Sequence, residues 1–278
     1  MARRDEGFFS ARDNTRLYWQ SVLPDGEPGC FIGVVHGYGD HSGRYRRFID
    51  YLAGEGVGVM AFDYRGHGKA DGRRGYCAKW PDFVDDLEVF WARVRGSAQG
   101  KPTFLLAHSH GGLMALHWAL KKPEGVKGLV LTAPYLKLAL DPPAMKIFAA
   151  KAVGLLIPWM PVPTDIAFDQ LSRDPEWQKE TEADPLYGRK ATPRWFVQST
   201  AAQAALAGKG RELTLPILVS CGSADPIAST GATRAFFETI GSTDKTYDER
   251  EGMRHEVLCE LGKEALWGEI SRWISAHR

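Results

Sequence analysis

Five short runs of largely apolar residues, at 30–35, 58–62, 103–107, 126–131 and 216–221, recur along the chain with stretches of helical periodicity between or after them. A run of five or six residues that is apolar on both of its faces suits a strand covered on both sides, as in a parallel sheet. Parallel neighbours require a crossover, and the amphipathic stretches supply one. The clearest follows Pro81, where Phe83, Val84, Leu87, Phe90, Trp91 and Val94 repeat at spacings of three and four. Further helices are expected over 44–53, 111–120, 231–240 and 261–274, and a weaker strand over 245–248. At the start, residues 8–10 and 17–22 read as a hairpin turning at Asp13-Asn14. Strand and helix taking turns over such a length predict an α/β fold, a mostly parallel sheet flanked by helices.

The alternation breaks once. Between residues 134 and 206 no strand-like apolar run is expected, and prolines crowd at 142, 143, 158, 161, 163, 175, 185 and 193. The stretch is too long for a plain loop. It reads as a helical insertion, so the expected organisation is a core of residues 1–134 and 207–278 with a cap over 135–206.

Composition narrows the field of functions. The 278 residues carry a net charge of +1 with no long run of one sign, which gives no reason to expect a nucleic-acid partner. Cys30, Cys77, Cys221 and Cys259 follow no CxxC or framework spacing and read as reduced thiols of a cytoplasmic protein. The charged start lacks the apolar core of a signal peptide. The sequence carries no reading of oligomeric state.

The chemistry centres on Phe104-Leu-Leu-Ala-His-Ser109-His-Gly-Gly112, an apolar strand meeting a helix with serine at the junction. It matches the nucleophile elbow G-x-S-x-G in four of five positions, with Ala107 in place of the first glycine. Small residues are needed because strand and helix nearly touch at so sharp a turn. A serine that merely caps a glycine-rich helix start would look similar. A nucleophilic serine also needs a base, a carboxylate that orients the base, and donors for an oxyanion. Asp225, just past the strand at 216–221, and His255, ahead of the last helix, follow in the order serine, acid, histidine. The oxyanion donors would be the backbone N–H of His110 and that of Tyr38, in the turn His36-Gly-Tyr-Gly39.

The segment His36-Gly-Tyr-Gly-Asp-His-Ser-Gly-Arg-Tyr45 closely resembles the H-G-x-G-[ED]-H-S-x-R-Y signature of monoacylglycerol lipases and lysophospholipases, the serine aminopeptidase-like hydrolases. Phe62-Asp-Tyr-Arg-Gly-His-Gly68 resembles their D-x-R-G-H-G loop, and Gly252-Met-Arg-His-Glu256 the segment around their catalytic histidine. Asp174-Pro, Asp184-Pro-Leu186 and Arg194-Trp-Phe196 are similar to landmarks of their cap. The resemblance covers essentially the whole chain. It implies the eight-stranded α/β-hydrolase fold, a helical cap over an acyl pocket, and hydrolysis of single-chain acyl esters without cofactor or metal. It also implies Ser109, Asp225 and His255 as the triad, with Tyr38 and His110 at the oxyanion hole. One departure stands out: His110 occupies the place of the usual methionine, where it could either pack inward or change the pocket's polarity.

Other readings are weaker. His108-x-His110 lacks the companions of a metal motif, and a dehalogenase or epoxide hydrolase would carry aspartate at the elbow. Short-chain esterase, lysophospholipase and silent binding protein remain open. So does the role of the apolar stretch 144–160, either packing onto the core or forming an acyl tunnel that also meets a membrane or micelle.

Overall fold

The computed structural model describes residues 2–140, 153–154, 156–164 and 166–278. Most of the apolar stretch 144–160 therefore lies outside the described residues. Eight strands form one sheet: β1 (Arg3–Ser10), β2 (Arg16–Leu23), β3 (Cys30–Val35), β4 (Val57–Asp63), β5 (Thr103–His108), β6 (Val126–Thr132), β9 (Ile217–Gly222) and β10 (Lys245–Arg250). Their spatial order is β1-β2-β4-β3-β5-β6-β9-β10. β2 runs antiparallel to both neighbours, and from β4 to β10 every pairing is parallel. This is the α/β-hydrolase sheet that the alternation and the resemblance imply.

The pleat decides which helix covers which face. In β5, Phe104 and Leu106 join one apolar cluster with Ile49 and Leu52 of α1 (Arg46–Gly54) and Ile270 of the last helix (Lys263–Ala276). Leu105 and Ala107 point the other way, into a cluster with Phe83, Leu87 and Phe90 of α2 (Trp80–Ala98) and Leu113 and Met114 of α3 (His110–Ala119). Alternate residues thus serve opposite layers. The helix expected from Pro81 begins at Trp80, because the Asp82 carboxylate reaches back to accept the Lys79 N–H at 3.2 Å and closes its first turn. The expected helix over 44–53 is split into a short 3-10 turn (Ser42–Tyr45) and α1.

Between β6 and β9 the chain leaves the sheet. Helices Phe168–Leu171, Pro175–Ala183 and Pro193–Ala205 occupy this segment, each of the longer two opening on a proline behind a capping Asp174 or Thr192. One expectation needs correction. The segment also holds two strands, β7 (Val162–Pro163) and β8 (Lys190–Ala191), paired antiparallel. Two-residue strands carry no periodicity, and Pro163 argues locally against one, so the pattern of residues is silent there.

Candidate active site

β5 ends at His108 and α3 begins at His110, which leaves Ser109 alone in the turn at φ 50°, ψ −115°. The backbone on either side is held: Ser109 N–H donates to Thr132 O (2.9 Å), and Tyr135 N–H donates to Ser109 O (3.0 Å). The glycines explain how strand and helix come so close. A Cβ on Gly111 would stand 2.5 Å from His36 O, and one on Gly112 would stand 2.9 Å from the Pro134 ring. Ala107, the imperfect position of the motif, is fully buried and its methyl joins the cluster on the helix side.

The structure brings Ser109, His255 and Asp225 into one hydrogen-bonded chain. The Asp225 carboxylate can only accept, so His255 Nδ1 carries the proton and donates to Asp225 Oδ2 at 2.8 Å. Nε2 then presents a lone pair, and Ser109 Oγ–H donates to it at 2.8 Å. The other carboxylate oxygen accepts the N–H groups of Ile227 (2.8 Å) and Ala228 (3.0 Å), so Asp225 is also the turn former its place before Pro226 suggests. Ser109 is 7% exposed and His255 4%. Burial opposes a charged imidazole at His255, but the carboxylates of Asp225, then Glu256 and Asp40, together outweigh it and raise the pKa above the ordinary 6.5.

The two expected oxyanion positions border the same space. Gly37, before Tyr38, lies so near that a Cβ there would meet the His108 ring at 3.0 Å and Ser109 Cβ at 3.3 Å. Its carbonyl accepts the Tyr64 hydroxyl at 2.7 Å and the His36 ring at 2.7 Å. A peptide is planar, so engaging that carbonyl also fixes the direction of the Tyr38 N–H. The Tyr38 side chain does a different job: it stacks on Trp195 (3.7 Å between centroids), and its hydroxyl bridges to Gly75 O and Lys190 O.

His110 resolves toward packing. Its ring is fully buried among Trp80, Phe83 and Trp195, with Nδ1 3.2 Å from the Tyr64 hydroxyl. Burial first, and then the nearby His67, hold its pKa well below the histidine range, so the ring stays neutral. Among the described residues, no group of three or more His, Cys, Asp and Glu is disposed to hold a metal ion.

Above Ser109 lies a cavity of about 400 Å³. Tyr135, Leu138, Leu171, Trp195, Phe196 and Ile227 make most of it apolar, while Ser109, His108, His255 and Glu256 form a polar corner. Trp195 and Phe196 come from the Arg194-Trp-Phe196 landmark of the sequence, but Tyr64 and Tyr135 carried no signal. Nor did the sequence reveal a buried cation beside the site. Arg44 Nε lies 3.1 Å from Asp40, and the guanidinium sits against the rings of Trp177 (4.7 Å) and Tyr187 (5.2 Å) from the β6–β9 segment. Asp40 and Arg44 stand in the signature itself, but Arg44, with Arg46 and Arg47, reads from the sequence as part of a solvated loop and helix face, and the structure corrects this by burying its guanidinium.

A mostly parallel eight-stranded sheet with a serine perched at the turn from central strand to helix defines an α/β-hydrolase. Within that class, the chain belongs to the serine aminopeptidase, S33 family, whose model matches residues 26–262. It is 33% identical over 264 residues to the monoglyceride lipase of Homo sapiens, covering 93% of this chain and 85% of that one. It is 26% identical over 275 residues to the monoacylglycerol lipase of Mycolicibacterium smegmatis, covering 99% and 98%. The crystal structure of the Paleococcus ferrophilus monoacylglycerol lipase superposes with a TM-score of 0.81 at 27% identity, over 100% of both chains. With these relatives, the chain is a carboxylic-ester hydrolase.

Proposed function

We propose that this protein hydrolyses monoacylglycerol or a similar single-chain acyl ester, with Ser109, His255 and Asp225 as its catalytic triad. The observation that carries the reading is the pair of 2.8 Å contacts linking Ser109 Oγ to His255 Nε2 and His255 Nδ1 to Asp225 Oδ2 beneath an apolar cavity. His255 takes the serine proton as Oγ attacks the ester carbonyl. The N–H groups of Tyr38 and His110 receive the oxyanion, each worth about 3 kcal/mol in the transition state. His255 then returns the proton to the leaving alcohol, the acyl-Ser109 ester remains, and a water activated by His255 releases the fatty acid. Asp225 holds the required tautomer and offsets the charge that His255 gains.

In this reading residues 135–206 are a cap, and the walls formed by Leu138, Leu171, Trp195 and Phe196 receive the acyl chain. The relatives' lipase names and the largely apolar wall support a lipid chain over an acetyl group. Exposed Leu156, Ile157, Trp159, Met160 and Val162 on the cap support brief contact of a cytoplasmic enzyme with a membrane or micelle. No helix among the described residues is long and apolar enough to cross a membrane.

Steady-state rates on glycerol, p-nitrophenyl and lysophospholipid esters of rising chain length test the substrate. Rates that climb with chain length on glycerol esters are expected. Preference for acetyl or butyryl esters would replace the lipase with a short-chain esterase. Labelling by a serine-reactive fluorophosphonate should vanish in Ser109→Ala, and activity that survives this change would end the triad assignment.

A further inference from the structure

The reaction above uses one carboxylate, yet two stand at the site. Glu256 follows His255 directly, is 6% exposed, and borders the cavity over Ser109. An ionised carboxylate withdrawn from water costs several kcal/mol unless it is paired. Its partner is His108, whose Nε2 lies 3.2 Å from Glu256 Oε2 and whose Nδ1 lies 3.0 Å from Thr132 Oγ1. The rings of His108 and His255 are 4.9 Å apart. Two adjacent pairs in the chain are therefore matched crosswise: Ser109 meets His255, and His108 before it meets Glu256 after it.

We propose that Glu256 is a positioning residue for the same reaction, pinning the His255 loop to the strand end that bears Ser109 and keeping a negative charge beside the imidazole. The proposal rests on the triad reading and adds a second source of basicity to Asp225. The charged and titratable groups around His255 and Glu256 come from several elements. Asp225 faces His255 from the end of β9, His108 from β5 and Asp40 from the turn after β3, while Arg44, Tyr45, Tyr187 and Cys259 stand about Glu256. Of the two extra acids, Asp40 is pushed up to about 6, by burial and then by the charge on Glu256. Glu256 moves the other way: burial would raise it, but His108, with His255 and Arg44, together prevail. As pH falls, Glu256 keeps its charge while His255 gains its proton, and of the two acids Asp40 is the first to lose its own.

The test is the pH dependence of fluorophosphonate labelling and of kcat/KM on a soluble p-nitrophenyl ester, in wild type and Glu256→Gln. Glutamine keeps the shape and removes the charge. The acidic limb reports His255 losing its proton, so it should shift to lower pH by about half a unit to one unit. Labelling of Ser109 should persist on the plateau. A lower plateau with an unmoved limb would make Glu256 a packing residue and overturn the proposal, as would a limb moved upward. If the variant does not fold, carboxyl carbon-13 titration of the wild type decides. Glu256 should stay ionised throughout the His255 titration, and protonation before or together with His255 overturns the proposal. Wild type that escapes labelling would count against the triad itself; Ser109-dependent labelling with an unmoved limb counts against Glu256 alone.

Discussion

The sheet and the segment that bridges β6 and β9 are held by different forces. Strands β3, β4 and β5 are buried at every position, and their side chains fill two apolar layers. The bridging segment buries far less. Its helix Pro175–Ala183 buries only Trp177 and Thr181, and ion pairs tie that helix and its flanks to the core, while Trp195 and Ala202 of the following helix join the apolar layer. His41 Nε2 meets Asp184 at 2.7 Å, Lys263 meets Asp174 at 2.7 Å, and Arg47 reaches Glu180 at 2.7 Å and Glu176 at 3.2 Å. Burial of apolar surface is strong per residue, whereas an exposed ion pair such as that of Arg47 is weak and screened; the pairs of Asp184 and Asp174 are mostly withdrawn from water and stand between the two. The Ser109–His255–Asp225 chain stands at the ends of the first kind of structure, and the walls of the cavity above it come partly from the second.

The largest expected break in this contrast is at the sheet's end. Asp225→Asn should lower kcat by about 10⁴-fold on a p-nitrophenyl ester, because the imidazole loses its required tautomer. Its melting temperature should change little, since asparagine keeps an oxygen for Ile227 and Ala228. Next comes the core: Phe104→Ala, fully buried in the layer beneath α1, should cost about 3–5 kcal/mol in urea unfolding. The bridging segment should respond less. Asp184→Asn removes the partner of the buried His41 and Arg44 and should cost about 1–3 kcal/mol by thermal melting. A loss as large as that of Phe104→Ala would erase the distinction between the two regions.

The sign of the pH effect at Asp184 follows from its surroundings. Burial opposes its charge, but His41, the Leu186 N–H and Arg44 together prevail and hold its pKa below the ordinary 3.8. Its contribution is complete above that value and fades as pH falls through the lowered one. Smallest of all, Arg47→Ala should change stability by less than about 1 kcal/mol, and added salt should shrink even that.

The same division decided what could be read from residues alone. Strands and helices of the sheet announce themselves because burial imposes a period, and each expected element is present within a few positions. Ser109, Asp225 and His255 were expected together because their order along the chain follows the order of the sheet positions they reach, and the structure places them within hydrogen-bond reach. Where a contact joins distant segments without a period, the sequence is mute. β7 with β8 is one such case; the Arg44 cation between Trp177 and Tyr187 is another, and the Glu256–His108 pair a third. The tie of Tyr38 to Trp195 belongs with them, for its family position advertises a backbone amide and says nothing about the ring.

Ser109 itself holds φ 50°, ψ −115°, a conformation that glycine adopts freely and a residue with a Cβ does not. The hydroxyl is lifted into the cavity at the expense of the resting protein, by about 1–3 kcal/mol for such a residue. Ser109→Gly should therefore melt at a higher temperature than its parent while hydrolysing nothing. Under the proposed function, turnover and durability pull in opposite directions at this one position.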